Sequence, residues 1–203
     1  MPYSSEHKAE TRERIVNCAR RLFNRRGFTE VSIDEIMAGA GLTRGGFYNH
    51  FATKDELYAE AITLSTKCEK TDAQGKTIDF TMPAAQVAQQ IIAIYLSDQH
   101  FENLDETCPL VALPSDTARG GAPVRQAYRQ VLEAMIGLFQ SSQGECVDAR
   151  QRGIAIATLC IGGMVLARAV DDEQLGDEIR NTAMAQAFAM GGWDTSVPAA
   201  AAE

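Results

Sequence analysis

A chain of 203 residues with 45% apolar and 23% charged side chains has ordinary globular composition, enough for one or two cores. No uninterrupted apolar run reaches the ~20 residues that cross a bilayer, and the N-terminal MPYSSEHKAETRER is too polar for a signal peptide, so the expectation is a cytoplasmic protein without membrane association. The net charge of −8 speaks against a nucleic-acid partner until its distribution is read: residues 1–70 hold 11 Lys/Arg against 10 Asp/Glu, the remainder 8 against 17. Lys8, Arg12, Arg14, Arg20, Arg21, Arg25 and Arg26 crowd the start of the chain, and a basic end on an acidic body suits an oriented DNA binder.

The first helix is predicted over Lys8–Arg26, with Ile15, Ala19, Leu22 and Phe23 inward and Gly27 closing it. Ser32 followed by Glu35 is a capping box that starts a second helix, carried by Ile33, Ile36 and Met37 and ended at Gly39-Ala40-Gly41. Thr43 caps a third, short helix running to about Phe51. Thr53 with Glu56 is a further capping box and opens a helix over Lys54–Lys70, with Leu57, Ala61, Leu64 and Cys68 inward. Helix, tight Gly-containing turn, helix is the helix-turn-helix pattern.

The third helix sorts its faces. Leu42, Phe47 and Phe51 can point inward, while Arg44, Gly45, Tyr48 and Asn49 share the opposite face. Gly45-Gly46 costs roughly 1 kcal/mol per residue inside a helix; the compensating benefit is bare backbone that can approach a groove wall closely. Arg44 is the candidate base reader, because arginine addresses guanine bidentately. Tyr48, Asn49, His50 and Lys54 are candidates for phosphate contacts, and Ser32 and Thr43 offer hydroxyls or helix N-terminal amides to the DNA backbone.

From about Glu10 to Leu57 the chain resembles the TetR family of one-component transcriptional regulators. The resemblance rests on Ala19 with Phe23, Gly27-Phe28, Ser32-Ile33-Asp34-Glu35-Ile36, Ala40-Gly41-Leu42-Thr43, Phe47-Tyr48-Asn49-His50-Phe51 and Lys54-Asp55-Glu56-Leu57. Gly46 departs from the Ser, Thr or Ala frequent there, which bears on the bases read and not on whether DNA is bound. The resemblance implies an all-α protein: an N-terminal three-helix DNA-binding domain joined to a helical effector-binding and dimerisation domain.

Residues 71–82, TDAQGKTIDFTM, lack periodicity and read as a loop. Further helices are predicted from Pro83 to about Phe101 with Val87, Ile91, Ile94 and Tyr95 inward, from Pro109 to about Arg119, from Pro123 to about Ser142, over Asp148–Val170, and from Gln174 to about Met190. The tail after Trp193 reads as disordered. The divisions are therefore 1–53 for the DNA-binding domain, 54–193 for the effector and dimerisation domain, and 194–203 for the tail. The segment Asp148–Val170 is apolar nearly all round and must be covered on all sides. A homodimer through the last two helices of each subunit does this, Gly162-Gly163 and Ala167 allowing close approach; the family resemblance implies the same arrangement.

Tyr95, Phe101, Tyr128, Met135, Phe139 and Met164 are candidates to line an apolar effector cavity, or to be plain core. Cys108, in Glu106-Thr107-Cys108-Pro109 at a predicted helix start, is a candidate electrophile or redox sensor, since a helix N-terminus favours thiolate; Asp105 and Glu106 oppose one. Some members of the resembled family carry a sensing cysteine in this region. Cys18, Cys68, Cys108, Cys146 and Cys160 form no CxxC pair and imply reduced thiols. No motif points to catalysis, a cofactor or a metal. The expected function is a dimeric repressor of a palindromic double-stranded operator, released by a small molecule or electrophile. The alternative is a small-molecule-binding or reactive-thiol protein without DNA function.

Overall fold

The computed structural model describes residues 5–64 and 78–193. These are all-helical, matching the expected class. The residues divide into two compact units, one drawn from Met1–Cys68 and Asn103–Leu132, the other from Glu69–Glu102 and Glu133–Glu203. Residues 103–132 thus pack with the DNA-binding head, where the sequence reading assigns them to the body. The expected extension of the fourth helix to Lys70, Cys68, most of the 71–82 loop and the tail 194–203 lie outside the described residues.

In the first unit, α1 (Ser5–Glu30) buries Ile15, Val16, Ala19 and Phe23 at helical spacing. Gly27 interrupts it at φ 76, ψ 171, a conformation that only glycine adopts without strain. A last helical stretch then continues to Glu30. The predicted stop is therefore a kink. α2 (Ile33–Gly39) carries the full reciprocal capping box: Glu35 N–H donates to Ser32 Oγ at 3.2 Å and Ser32 N–H to Glu35 Oε2 at 2.8 Å. α3 (Lys54–Leu64) starts on a variation of that motif. Glu56 N–H donates to Thr53 Oγ1 at 3.1 Å, but the Glu56 carboxylate reaches back to Ala52 N–H at 2.8 Å and not to Thr53.

Phe23, Ile36, Met37, Phe47, Phe51, Leu57 and Tyr58 fill the core of the head, each no more than 2% exposed. Tyr58 stacks on Phe28 at 4.6 Å and meets Phe23 edge-on at 5.0 Å, so the segment after the kink packs onto α3. α6 (Pro109–Ala112) and α7 (Pro114–Arg119) pack on α1. One helix was expected over 109–119. Pro114 divides it, because proline removes the amide that would continue the ladder. α8 (Ala122–Ser141) gives its first half to this unit, burying Val124, Ala127 and Val131.

The second unit holds α4 (Ala84–Tyr95), α5 (Asp98–Glu102), the end of α8, α9 (Ala149–Ala169) and α10 (Glu173–Gly191). The predicted helix over 83–101 is broken at Leu96-Ser97, and its buried stripe is Val87, Ala88, Ile92 and Tyr95, leaving Ile91 and Ile94 half-buried. α9 buries Gly153, Ile156, Ala157, Cys160, Gly163, Met164 and Ala167 along one face. A Cβ on Gly163 would stand 2.6 Å from that of Ala183, so this glycine serves the close α9–α10 packing within the subunit. A Cβ on Gly162 would meet nothing within 4 Å. By length and composition α9 could cross a bilayer, at mean hydropathy 1.4; its buried face is that of a core helix.

Candidate nucleic-acid interface

The segment after α2 turns tightly: Leu42 N–H donates to Met37 O at 2.8 Å, and Gly41 adopts φ 68. Arg44–Asn49 then forms a 3-10 helix where an α-helix was expected. Two adjacent glycines weaken an α ladder in so short an element. Phe47 and Phe51 anchor this element in the core, and Thr43, Arg44, Gly45, Tyr48 and Asn49 are all exposed, Tyr48 by 61%. The sidedness read from the sequence holds.

Thr43 occupies the N-cap without a side-chain cap bond. A Cβ on Gly45 would meet nothing within 4 Å, and its φ lies outside the left-handed region. Neither packing nor backbone geometry inside the subunit asks for glycine there. Gly46 differs, its Cβ position lying 3.5 Å from Met37 Cε. Arg44 is 62% exposed and donates to Asp34 Oδ2 at 2.5 Å.

Three of the expected contact residues are engaged elsewhere. Ser32 accepts from Glu35 N–H, and both its hydroxyl and its amide donate to the Glu35 carboxylate, so a phosphate at this hydroxyl would share it with the cap. The Lys54 ammonium donates to Phe28 O and lies 4.1 Å from the Phe28 ring centroid, clipping the kink of α1 to α3; burial pushes its pKa down. A phosphate would have to compete with that clip. The carbonyl of His50 accepts from Arg12, and burial, with Lys8 and Arg12 nearby, lowers the imidazole pKa.

The basic start of the chain is likewise largely spent inside the molecule. Arg12 pairs with Glu56 and Glu60 and covers the Phe51 ring at 4.0 Å. Arg20 and Arg21 pair with Glu106, Arg25 with Asp105, and Arg26 with Glu35. Among the described residues, Lys8 and Arg14 are the exposed α1 cations without an ion pair. The basic start of the chain therefore carries much of its charge in ion pairs within the head. Arg12 and its acids were missed, although Glu56 and Glu60, one turn apart on α3, were a legible signal of a cation between them.

The matched positions and the geometry of the head agree with a known sequence class: residues 15–61 match the model for bacterial regulatory proteins of the tetR family. The DNA-binding head is that of the TetR family. The regulator AcrR of Shigella flexneri is 40% identical over 62 residues, which are 30% of this chain and 29% of AcrR, so that likeness is confined to the head. YxaF, an uncharacterised HTH-type transcriptional regulator of Bacillus subtilis, is 26% identical over 166 residues, covering 78% of this chain and 85% of YxaF. The reduced form of Escherichia coli NemR shares the fold at a TM-score of 0.67 and 17% identity, covering 89% of this chain and 97% of that one.

The candidate effector residues fall in both units. In the first, Cys108 is 8% exposed and sits at the N-cap of α6, and the Tyr128 hydroxyl donates to Leu110 O at 3.1 Å. α6 is a single turn, so the helix-dipole argument for a reactive Cys108 loses most of its force. In the second, Phe139 and Met164 are fully buried core and Met135 is half-buried; Tyr95 meets the His100 ring at 4.9 Å, and Phe101 lies under Arg180 at 4.7 Å. A groove of about 440 Å³ in this unit is lined by other residues, among them Leu159, Gly162, Leu166, Leu175, Ile179 and Ala183. Cys160 is inert, its thiol pushed up to about 12 by burial.

Proposed function

We propose that the protein is a homodimeric repressor that holds a palindromic double-stranded operator through the strip Thr43–Asn49 and releases it when an effector acts on its C-terminal region. The observation carrying this reading is Gly45 in its setting: an exposed glycine with no internal reason to be one, flanked by exposed Arg44, Tyr48 and Asn49 on a strip anchored by buried Phe47 and Phe51. Such a strip fits a groove that side chains at Gly45 would block. Arg44 reads a base, and Tyr48, Asn49 and Thr43 grip phosphates with Lys8 and Arg14 behind them. His50 and Lys54 act mainly through the fold of the head.

A dimer through α9 and α10 carries two such strips, one for each half-site of a palindromic operator. It would cover Ile154, Leu166, Leu175 and Met190, each at least 41% exposed, and the groove between the two helices. The protein would act in the cytoplasm without catalysing a reaction.

A second reading concerns the signal. Cys108 follows Asp105 and Glu106, which bind Arg20, Arg21 and Arg25 of α1, so modification of its thiol would strain a segment tied directly to the head. The test is fluorescence anisotropy on duplex DNA from directly upstream of the gene, with quinones, enals or peroxide added and Cys108→Ser in parallel. Release by wild type and retention by Cys108→Ser makes Cys108 the sensor; retention by both moves the search to apolar ligands. Operator-type binding must weaken steeply and log-linearly with salt. Salt-independent or absent binding on selected duplexes would leave a sensor protein without DNA function.

A further inference from the structure

Arg44 is not free to point anywhere. Its Nη1 donates to Asp34 Oδ2 at 2.5 Å, with the two side chains 62% and 55% exposed. Asp34 is the second residue of α2, in a first turn where the positive end of the helix favours a carboxylate. α2 itself is fixed by the capping box and by buried Ile36 and Met37, so the carboxylate is presented from a rigid base. The other paired head arginines, Arg12, Arg20, Arg21, Arg25 and Arg26, tie structural segments together. The Arg44–Asp34 pair instead joins α2 to the exposed strip, and as a pair exposed on both sides it contributes little to stability.

The contact is monodentate and uses Nη1. Among the described residues no hydrogen bond engages Nε or Nη2, which together form the side edge of the guanidinium fork. That edge has the two parallel donors that match O6 and N7 of guanine in the major groove. A carboxylate on Nη1 also opposes transfer of the guanidinium to a phosphate, because the acid would be drawn toward the same anionic backbone.

We propose that Asp34 is a positioning residue for base recognition: it fixes the Arg44 guanidinium so that its Nε–Nη2 edge addresses one base pair, and it suppresses sequence-independent phosphate binding by the same side chain. This rests on the operator reading above. Specificity at one base pair per half-site is then set by two residues, only one of which touches DNA.

The experiment starts by enriching duplexes from a random-sequence library with the full-length wild-type protein. Anisotropy then compares wild type, Asp34→Asn, Asp34→Ala, Arg44→Ala and Asp34→Asn/Arg44→Ala on the enriched duplex, its single-base-pair variants and a scrambled duplex. Thermal melts establish that each variant is folded. Arg44→Ala identifies the base pair read by Arg44. Both Asp34 variants are expected to lose about tenfold of the preference at that same base pair, with scrambled DNA bound equally or more tightly, and to change nothing further in the Arg44→Ala background. Retained preference in both Asp34 variants overturns the proposal, as does an equal loss in the presence and absence of Arg44. Failure of the wild type to enrich any duplex overturns the operator reading itself, and the Asp34 proposal with it.

Discussion

Replacing Gly27 by alanine tests the junction between the head and residues 103–132. At φ 76, ψ 171 a residue with a Cβ is strained by about 1–3 kcal/mol. The new methyl would also stand 2.7 Å from Asp116 Oδ2, closer than real contacts allow. Asp116 must then withdraw from Phe28 N–H, its hydrogen-bond partner at 2.9 Å, leaving a part-buried amide at a cost of about 1–3 kcal/mol. Together these give roughly 2–6 kcal/mol, which in a chain of this length lowers Tm by about 4–24 °C. Far-UV circular dichroism melts of wild type, Gly27→Ala, Asp116→Ala and the double variant measure it. In the Asp116→Ala background the clash is gone and Gly27→Ala should cost only the backbone strain. The reasoning is refuted if Gly27→Ala melts within 2 °C of wild type, or if its cost is the same with and without Asp116.

Glu106→Ala leaves the Arg20 guanidinium, 6% exposed, with only the Asp105 carbonyl at 3.4 Å among the described residues, and should cost about 1–3 kcal/mol, the lower end favoured because Glu106 is itself half-exposed. Arg20→Met/Glu106→Gln should recover part of that loss in urea unfolding; a double variant less stable than Glu106→Ala would contradict the account. Glu35 titrates far below its ordinary value, at about 2, chiefly because Ser32 N–H donates to its carboxylate, with Arg26 and the Ser32 hydroxyl assisting. A depressed folded-state pKa adds stability above the unfolded value near 4.5 that is lost as pH falls toward 2. The stability gap between wild type and Glu35→Gln should therefore close over that interval in acid unfolding, and a gap independent of pH would show that the charge is not what the cap uses.

Much of the head was legible because its determinants are local. Ser32 and Glu35 are three residues apart and specify each other, and Gly27 and Gly41 mark the two left-handed positions they occupy. Phe47 and Phe51 separate an inner from an outer face at helical spacing whether the ladder is α or 3-10. What escaped was mostly long-range. Nothing near Arg20 or Arg25 in the sequence announces Glu106 and Asp105, some eighty positions away. The basic cluster therefore reads as a run of free cations when most of its members pair with carboxylates of the same unit. The split at Pro114 was local and readable, yet the turn-like continuity of Pro109–Arg119 obscured it.

The same long-range pairs bear on how a signal could reach the recognition strip. Asp105, Glu106 and the Thr107 carbonyl hold Arg20, Asn24 and Arg25 on one side of α1, while Asp116 holds the Gly27 kink. Lys54 joins that kink to α3, and Arg12 joins α1 to the end of the 3-10 helix through His50 O and to α3 through Glu60. Apart from the neutral bond from Asn24 to the Thr107 carbonyl, each link is an ion pair or a charge-assisted hydrogen bond. Such links are strong enough to set an orientation and cheap enough to exchange, since a carboxylate released from one arginine finds water or another cation. Residues 105–116 and the end of Arg44's strip are thus both tied to α1 within one folded unit, which gives an event at the former a route to the latter. Loss of coupling, with folding and basal DNA binding retained, is what substitution at Arg20 or Asp105 should produce if effector release uses this route.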